Sequence, residues 1–206
     1  MIPVSEQPEP ASFPHKVRTP GSTFLQQAPH PASWKNREYW KRVLRELYDA
    51  HNGICAYSAE WIPYTTGDPS IDHFVPKSVN PQLAYEWSNY RLASLRFNSR
   101  KGDYQDVIDP FRLKPGLFFL HFPSLLVRPD WAISRSQASK VIATANRLKL
   151  NDELCISGRI RWIREFCTGS ITLEFLKRNA PFIAVELQRQ GLIEEIASIM
   201  RFDLAG

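Results

Sequence analysis

Polar side chains that could hydrolyse a phosphodiester bond are concentrated between residues 72 and 98. Asp72 and His73 are adjacent, Asn89 follows after a loop-like stretch, and Asn98 comes next. The oxygens of Asp72 and Asn98 are hard ligands suited to Mg²⁺ or Mn²⁺, which keep several waters in their coordination shell. A neutral His73 could take the proton of an attacking water, because its ordinary pKa lies near neutral pH. These residues therefore predict a hydrolytic site with one divalent metal ion.

Three cations near Asn98 extend this site toward a phosphate backbone. Arg96, Arg100 and Lys101 lie within a few residues of Asn98. Each could neutralise phosphate charge if it faces the cleft. Arginines on a helix surface are also often only solvated, so both interpretations stay open for Arg96 and Arg100.

The pattern around these residues predicts two short strands and a helix. An apolar run over residues 71–75 ends at Pro76, as a strand does where a ladder bond would be lost. Residues 77–88 have the composition of a loop, and residues 89–93 that of a second strand. A helix is expected from residue 94 to Gly102. Adjacent strand residues point to opposite faces, so Asp72 and His73 could not both face one site on an ideal strand.

The segment resembles the ββα-metal core of HNH nucleases. The likeness rests on Asp72–Lys77, followed by Asn89 and then by Asn98 with Lys101 and Gly102 behind it. It implies that His73 is the general base, that Asp72 and Asn98 bind the metal, and that Asn89 orients His73. A hairpin with a satisfied histidine and no catalytic role is the alternative.

Many members of that family also carry structural zinc on two Cys-x-x-Cys motifs. Of the first motif only Cys55 remains here. Zinc sites of this kind need four nitrogen or sulfur ligands. No structural zinc is therefore expected, and packing should replace it, by Ile54, Tyr57, Trp61 and Phe97.

Composition is compatible with an intracellular enzyme that acts on nucleic acid. The net charge of +5 permits phosphate binding without proving it. The three cysteines, Cys55, Cys155 and Cys167, have no framework spacing and favour a reducing compartment. No signal peptide or membrane span is expected, so the predicted location is cytoplasmic.

The whole chain is expected to be α+β, with a small ββα core embedded in a mostly helical domain. Residues 1–33 hold seven of the sixteen prolines and predict an extended arm draped on the core. Residues 34–127 would form the nuclease core around the motif at 71–104, and residues 128–206 a helical region packed on it. Helices are predicted at 34–52, 136–150, 153–166, 172–178, 181–190 and 194–200, and extended segments at 107–111 and 117–127.

The layout of the whole chain is also similar to the HNH subunit of Septu-type antiphage systems. That likeness implies an effector subunit that works beside an ABC-like ATPase, with DNA rather than RNA as the expected substrate. The chain has no Gly-x-x-x-x-Gly-Lys-Ser/Thr loop, so nucleotide sensing would fall to the partner. Two further hypotheses remain: a catalytically silent nucleic-acid-binding module, and an interaction subunit that regulates the ATPase.

Overall fold

The computed structural model describes residues 1–200 and combines helices with two small antiparallel sheets. The predicted mixed α and β composition is confirmed. Contacts divide the chain into two units. The hairpin unit contains residues 5–56 and 62–105, and the C-terminal unit contains residues 1–4, 57–61 and the chain from 106 onward. The contacts thus divide the chain earlier than the predicted boundary at 127. Residues 201–206, the end of the predicted helical region, lie outside the described residues.

The regular elements follow one another in both units. In chain order they are α1 (Thr19–Gln27), α2 (Leu44–Ala50), β1 (Pro69–His73), β2 (Tyr90–Ser94), α3 (Leu95–Lys101), β3 (Phe118–His121), β4 (Leu126–Pro129), α4 (Arg135–Arg147), α5 (Glu153–Cys167), α6 (Leu173–Asn179), α7 (Pro181–Arg189) and α8 (Ile196–Ile199).

The hairpin unit is built around β1, β2 and α3. β1 and β2 pair antiparallel, with Ile71 opposite Leu92 and His73 opposite Tyr90. α3 starts directly after β2 and contacts both strands. It ends at Gly102, whose φ of 50° lies in the left-handed region that glycine adopts without strain. Hairpin and helix lie close to the predicted residues, although β1 stops at His73 rather than at residue 75.

The extended arm predicted for residues 1–33 is wrong over its central part. Pro14–Arg18 forms a π-helical turn that continues into α1. Phe13 and Val17 are fully buried, so this segment packs on the unit, as predicted from its apolar anchors. Gly21 lies against Tyr85: a Cβ at Gly21 would come within 2.2 Å of the Tyr85 ring. A glycine is therefore required where the helix crosses that ring.

The helix predicted over residues 34–52 is shorter than expected. It consists of a 3-10 turn at Tyr39–Val43 followed by α2. The apolar stripe of this segment faces the core, where Trp40, Val43 and Leu47 are buried. This stripe is therefore part of the core.

The C-terminal unit contains the second hairpin and five helices among its described residues. β3 and β4 pair antiparallel, and α4 contacts β4. α4 begins with a capping box made by Ser134 and Gln137, and Asp152 caps α5. The five helices predicted after residue 134 are all present. The extended segment predicted at 107–111 is not a strand, whereas the prediction at 117–127 overlaps β3 and β4.

Two features bear on the sequence predictions. Of the residues expected to pack in place of zinc, Tyr57 and Phe97 are buried, whereas Trp61 is 42% exposed and is not a core residue. No helix within residues 1–200 has the length and apolar character that crossing a bilayer requires.

Candidate active site

A cleft of about 410 Å³ opens in the hairpin unit at the end of β1. One wall is polar and comes from β1, the loop after it and α3, while Trp40 and Leu44 contribute an apolar side. The residues that line it are Trp40, Lys41, Leu44, Pro69, Ser70, Ile71, Asp72, His73, Pro76, Lys77, Leu95, Asn98, Gly102 and Asp103. Three predicted site residues, Asp72, His73 and Asn98, thus border one space.

Asp72 and His73 both line this cleft although they are adjacent on β1. His73 is the last residue of the strand, and the chain then leaves the regular ladder. The Phe74 N–H still donates to the carbonyl of Asn89, at 2.9 Å. Because His73 sits at the strand end, the alternation of side chains along a strand no longer separates it from Asp72.

The His73 ring is held by one hydrogen bond and two aromatic contacts. Its Nε2 lies 2.9 Å from the carbonyl oxygen of Ala84. The rings of Trp40 and Tyr90 stand edge-on to it, with centroids 4.7 and 5.2 Å away. The Tyr90 hydroxyl donates to the same Ala84 carbonyl at 2.8 Å. The imidazole is only 5% exposed and therefore has a fixed orientation.

This hydrogen bond determines the tautomer of His73. A carbonyl oxygen only accepts, so Nε2 must carry the hydrogen and donate it. In the neutral ring the lone pair is then on Nδ1, which lies 3.4 Å from the Lys77 ammonium. Burial, reinforced by the Lys77 charge, lowers the pKa of His73 to about 3. The ring is thus a neutral acceptor at neutral pH, and Nδ1 is its accepting atom.

Asn89 does not contact His73 in the way the resemblance implied. Its Oδ1 accepts from the Val75 N–H at 2.8 Å, and its Nδ2 donates to the carbonyls of Val75 and Leu83 at 3.0 and 3.1 Å. These bonds engage the Asn89 amide with the backbone, so the predicted orientation of His73 by Asn89 would be indirect. Asn89 instead fixes Leu83, the neighbour of Ala84, and positions His73 through that carbonyl.

Asp72 is paired with Lys101 inside the unit. The Lys101 Nζ lies 3.3 Å from Asp72 Oδ1 and donates to the His73 carbonyl at 3.0 Å. Both side chains are almost completely inaccessible, at 0% and 3% exposure. Lys101 was predicted to bind substrate, and in this structure its ammonium is buried against Asp72 and the His73 carbonyl. A lysine is buried only when it is paired, and here the backbone carbonyl and Asp72 hold it.

Asn98 presents its oxygen rather than its nitrogen to the cleft. Its Nδ2 donates to the Ser70 hydroxyl and to the Ile71 carbonyl, both at 3.1 Å. Since the Ile71 carbonyl only accepts, the nitrogen must face it and Oδ1 points the other way. Within the described part of the chain Oδ1 accepts no hydrogen bond. An amide oxygen with its lone pairs available is a suitable ligand for a hard cation.

The two predicted arginines do not line the cleft. Arg96 is exposed on α3. Arg100 is half-buried, and its guanidinium carbon lies 5.5 Å from the centroid of the Phe97 ring. Neither is among the lining residues. If Arg96 and Arg100 bind substrate as predicted, they contact it outside the cleft.

The donor set fits a hard divalent cation such as Mg²⁺ or Mn²⁺. Asp72 and Asn98 supply a carboxylate and an amide oxygen at the same cleft, and such ions retain waters at the remaining positions. Lys101 shares the Asp72 carboxylate, so a metal ion would compete there with an ammonium group. Residues 1–200 contain no group of three or more His, Cys, Asp or Glu side chains arranged for a metal ion.

Sequence reasoning missed Lys77, Trp40 and Asp103 as cleft residues. Lys77 stood in the motif without an assigned role, yet its Nζ is the charged group next to His73. Trp40 was assigned to the core only, although it also borders the cleft. Asp103 accepts from the Ser78 hydroxyl at 2.7 Å. The signal that could have indicated Lys77 is its position four residues after His73, beyond a proline that turns the chain.

Comparisons with known proteins leave the site to be interpreted from its geometry. No protein-family model matches the chain, and a search of curated proteins finds no significant match.

Proposed function

We propose that the chain is a metal-dependent phosphodiesterase of the HNH type that hydrolyses nucleic acid. One observation carries the proposal: the Ala84 carbonyl holds Nε2–H of His73, so the lone pair of the ring is on Nδ1, at a cleft that Asp72 and Asn98 also line. A histidine with only a structural role would not require the oxygens of Asp72 and Asn98 at the same cleft. The ββα core is part of this proposal, supported by the order β1, β2, α3.

His73 would act as the general base. Nδ1 takes a proton from water, the water oxygen forms a bond to phosphorus, and the bond from phosphorus to the leaving oxygen breaks. The leaving oxygen takes a proton from solvent. Because the pKa of His73 is far below neutral, the ring is a weak base that is always in its accepting form. Its fixed ring plane supplies orientation, which itself contributes to rate.

Asp72 and Asn98 would hold the divalent ion, which supplies Lewis-acid stabilisation of phosphate charge when it is bound. The protein contributes the negative charge of Asp72 and the oriented Oδ1 of Asn98. Lys101 keeps the Asp72 carboxylate in place through its own bond to the His73 carbonyl. The proposed base and the Asp72 ligand are thus connected through one buried ammonium group.

The wider setting carried over from the sequence is an effector subunit of an antiphage complex with an ATPase partner. A catalytically silent binding module is the competing function. Nucleic-acid binding alone requires neither the oriented imidazole nor the available Asn98 oxygen. The geometry therefore favours the hydrolase.

The experiment is a cleavage assay of the purified chain with plasmid DNA, linear duplex DNA and total RNA. Incubation with Mg²⁺ or Mn²⁺ should produce cleavage, and EDTA should abolish it. A second series adds the ATPase expected beside it. Persistent absence of cleavage in both series, with nucleic acid bound, would favour the silent binding module instead.

A further inference from the structure

Lys77 is a cation that the proposed function has not yet used. It follows the turn at Pro76 and is half-buried at the cleft. Its Nζ lies 3.4 Å from His73 Nδ1 and 4.8 Å from the centroid of the Trp40 ring. The ammonium therefore stands at the atom that would accept the proton of the attacking water.

Within residues 1–200, Lys77 forms no ion pair with a carboxylate, and its charge is influenced from further away. Asp103 and Asp72 attract the charge, and Lys101 repels it. Burial is the dominant influence and lowers the pKa of Lys77. Its polar contact to Nδ1, at 3.4 Å, is long for a hydrogen bond. The face of Trp40 adds a cation–π attraction.

We propose that Lys77 is a phosphate-binding residue that covers His73 Nδ1 in the empty cleft and moves onto a phosphate oxygen of the bound nucleic acid. This inference rests on the proposed function. In the empty cleft the ammonium takes the lone pair and excludes water from it. When a phosphate enters, the lysine turns to the phosphate, and Nδ1 becomes accessible to the attacking water.

The energetic argument compares the two partners of the ammonium group. In a hydrogen bond from an ammonium to an anionic phosphate oxygen both partners are charged and attract each other, whereas in the contact to a neutral imidazole only the donor is charged. The four-carbon stem of lysine lets Nζ move while the backbone stays fixed. The backbone at this turn is fixed, because Asn89 holds Val75 by two hydrogen bonds. The exchange thus needs only side-chain motion.

The first test observes His73 directly by ¹⁵N NMR of the imidazole nitrogens at constant pH, in EDTA. The His73 signals are identified by their loss in His73→Gln. Adding inorganic phosphate, or a short DNA duplex, should shift the Nδ1 resonance of the parent. In Lys77→Met the resonance should already be displaced and should not respond. Lys140→Met removes an exposed charge on α4 that does not line the cleft, so Nδ1 of His73 should respond in this variant as in the parent.

An unchanged Nδ1 resonance on addition of both probes would overturn the proposal, as would an equal response in Lys77→Met. This readout does not depend on cleavage. If the parent cuts nothing but its Nδ1 responds through Lys77, the proposed function fails and the phosphate-binding role of Lys77 stands.

The second test measures cleavage under the conditions where the parent is active. Lys77→Met should lower the rate about 10²-fold, the range for removing one donor to a developing charge. Lys77→Arg should restore part of the nucleic-acid affinity, since guanidinium also binds phosphate, but less of the rate, since its planar group is held differently. Equal rates in the parent and Lys77→Met would contradict the role. Lys140→Met, an exposed charge on α4, is the control for net charge.

Discussion

The two units of the protein use the same hydrogen-bonding device, and in the hairpin unit it is connected to the segment that holds His73. In the hairpin unit Asn89 accepts from the N–H of Val75 and donates to its carbonyl. In the C-terminal unit Asn151 does the same to Val127, at 2.7 and 2.9 Å. The difference is that Asn89 also bonds Leu83, next to the carbonyl that holds His73. The paired hydrogen bonds of each asparagine hold the backbone in both units. In the hairpin unit the additional bond to Leu83 connects them to the proposed site.

Buried charges in the two units show the same contrast. In the C-terminal unit, Arg189 pairs with Glu186 at 2.8 Å and with Asp130 at 2.7 Å. Glu186 also accepts from the Leu120 N–H, so this network holds β3 to α7. In the hairpin unit the Asp72–Lys101 pair borders the cleft instead. A buried ion pair is thus weak evidence of function until the space beside it is known.

The largest expected effect is a loss of cleavage rate on replacing His73, compared with replacing a histidine of the other unit. His73→Ala should reduce the cleavage rate by about 10²–10⁴, the range for loss of a general base. The fold should persist, since the change removes one hydrogen bond and no charge. Rates are measured on the preferred nucleic acid, and circular dichroism checks the fold. His121→Ala in the other unit should leave the rate intact, and an equally slow His121→Ala would discredit the assignment.

Next in size is the effect of removing the cation from each buried pair. Lys101→Met leaves the Asp72 carboxylate buried without its ammonium partner, which should destabilise the protein by about 3–5 kcal/mol. A divalent ion could then take the place of the ammonium, so Mg²⁺ should raise the Tm of Lys101→Met more than that of the parent.

Arg189→Met is the matched variant in the C-terminal unit. It should also be destabilised, but Mg²⁺ should not raise its Tm, because Asp130 and Glu186 do not line the cleft. Thermal unfolding with Mg²⁺ and with EDTA measures both. The same Mg²⁺ response in the two variants would refute the idea that only the first pair borders a metal site.

A smaller effect distinguishes Asn89 from Asn151. Asn89→Ala and Asn151→Ala should each cost about 1–3 kcal/mol, because a backbone N–H loses its partner in both. Only Asn89→Ala should also lower the cleavage rate, since it releases the segment that carries Ala84. Chemical denaturation and cleavage under stabilising conditions separate the two effects. If Asn151→Ala slowed cleavage equally, the comparison between the units would lose its basis.

The smallest expected effect is a dependence of stability on pH in the hairpin unit. Burial lowers the pKa of His51 to about 4, against an ordinary value of 6.5. Between these values the unfolded chain binds the proton and the folded chain does not. Stability should therefore be complete above pH 6.5 and decline as the pH falls toward 4. His51→Gln should remove part of this slope in denaturation curves, while His73, whose pKa is also lowered, keeps the rest. An unchanged slope would contradict the contribution of His51.

The hairpin, α3 and the helices after residue 134 could be predicted because their signals are local. Gly102 closes α3, and Ser134 with Gln137 begins α4, each within a few residues of chain. The helical turn at Pro14–Arg18 was missed because prolines dominate the segment. Pro14 stands in the first turn of this helical segment, where the missing N–H costs nothing, and Pro20 lies where the π-helical turn passes into α1.

The cleft itself could be predicted only in part, because its decisive contacts join residues far apart in sequence. Of Lys77 and Lys101, the lysine that donates to a backbone carbonyl is buried, and the other lines the cleft. Lys101 bonds to His73, 28 residues away, and becomes inaccessible. Lys77 is left at the opening. Likewise, no local pattern indicates that the Ala84 carbonyl receives the imidazole hydrogen.

The contact between Gly21 and Tyr85 gives the proline-rich start an influence on the proposed chemistry. Tyr85 follows Ala84, so the helix that presses on its ring also steadies the carbonyl to which the imidazole is tied. A shortened protein that starts at residue 34 would lack that support. It would keep every residue of the motif, yet the proposed reaction should be slow, because the imidazole of His73 would no longer have a fixed orientation.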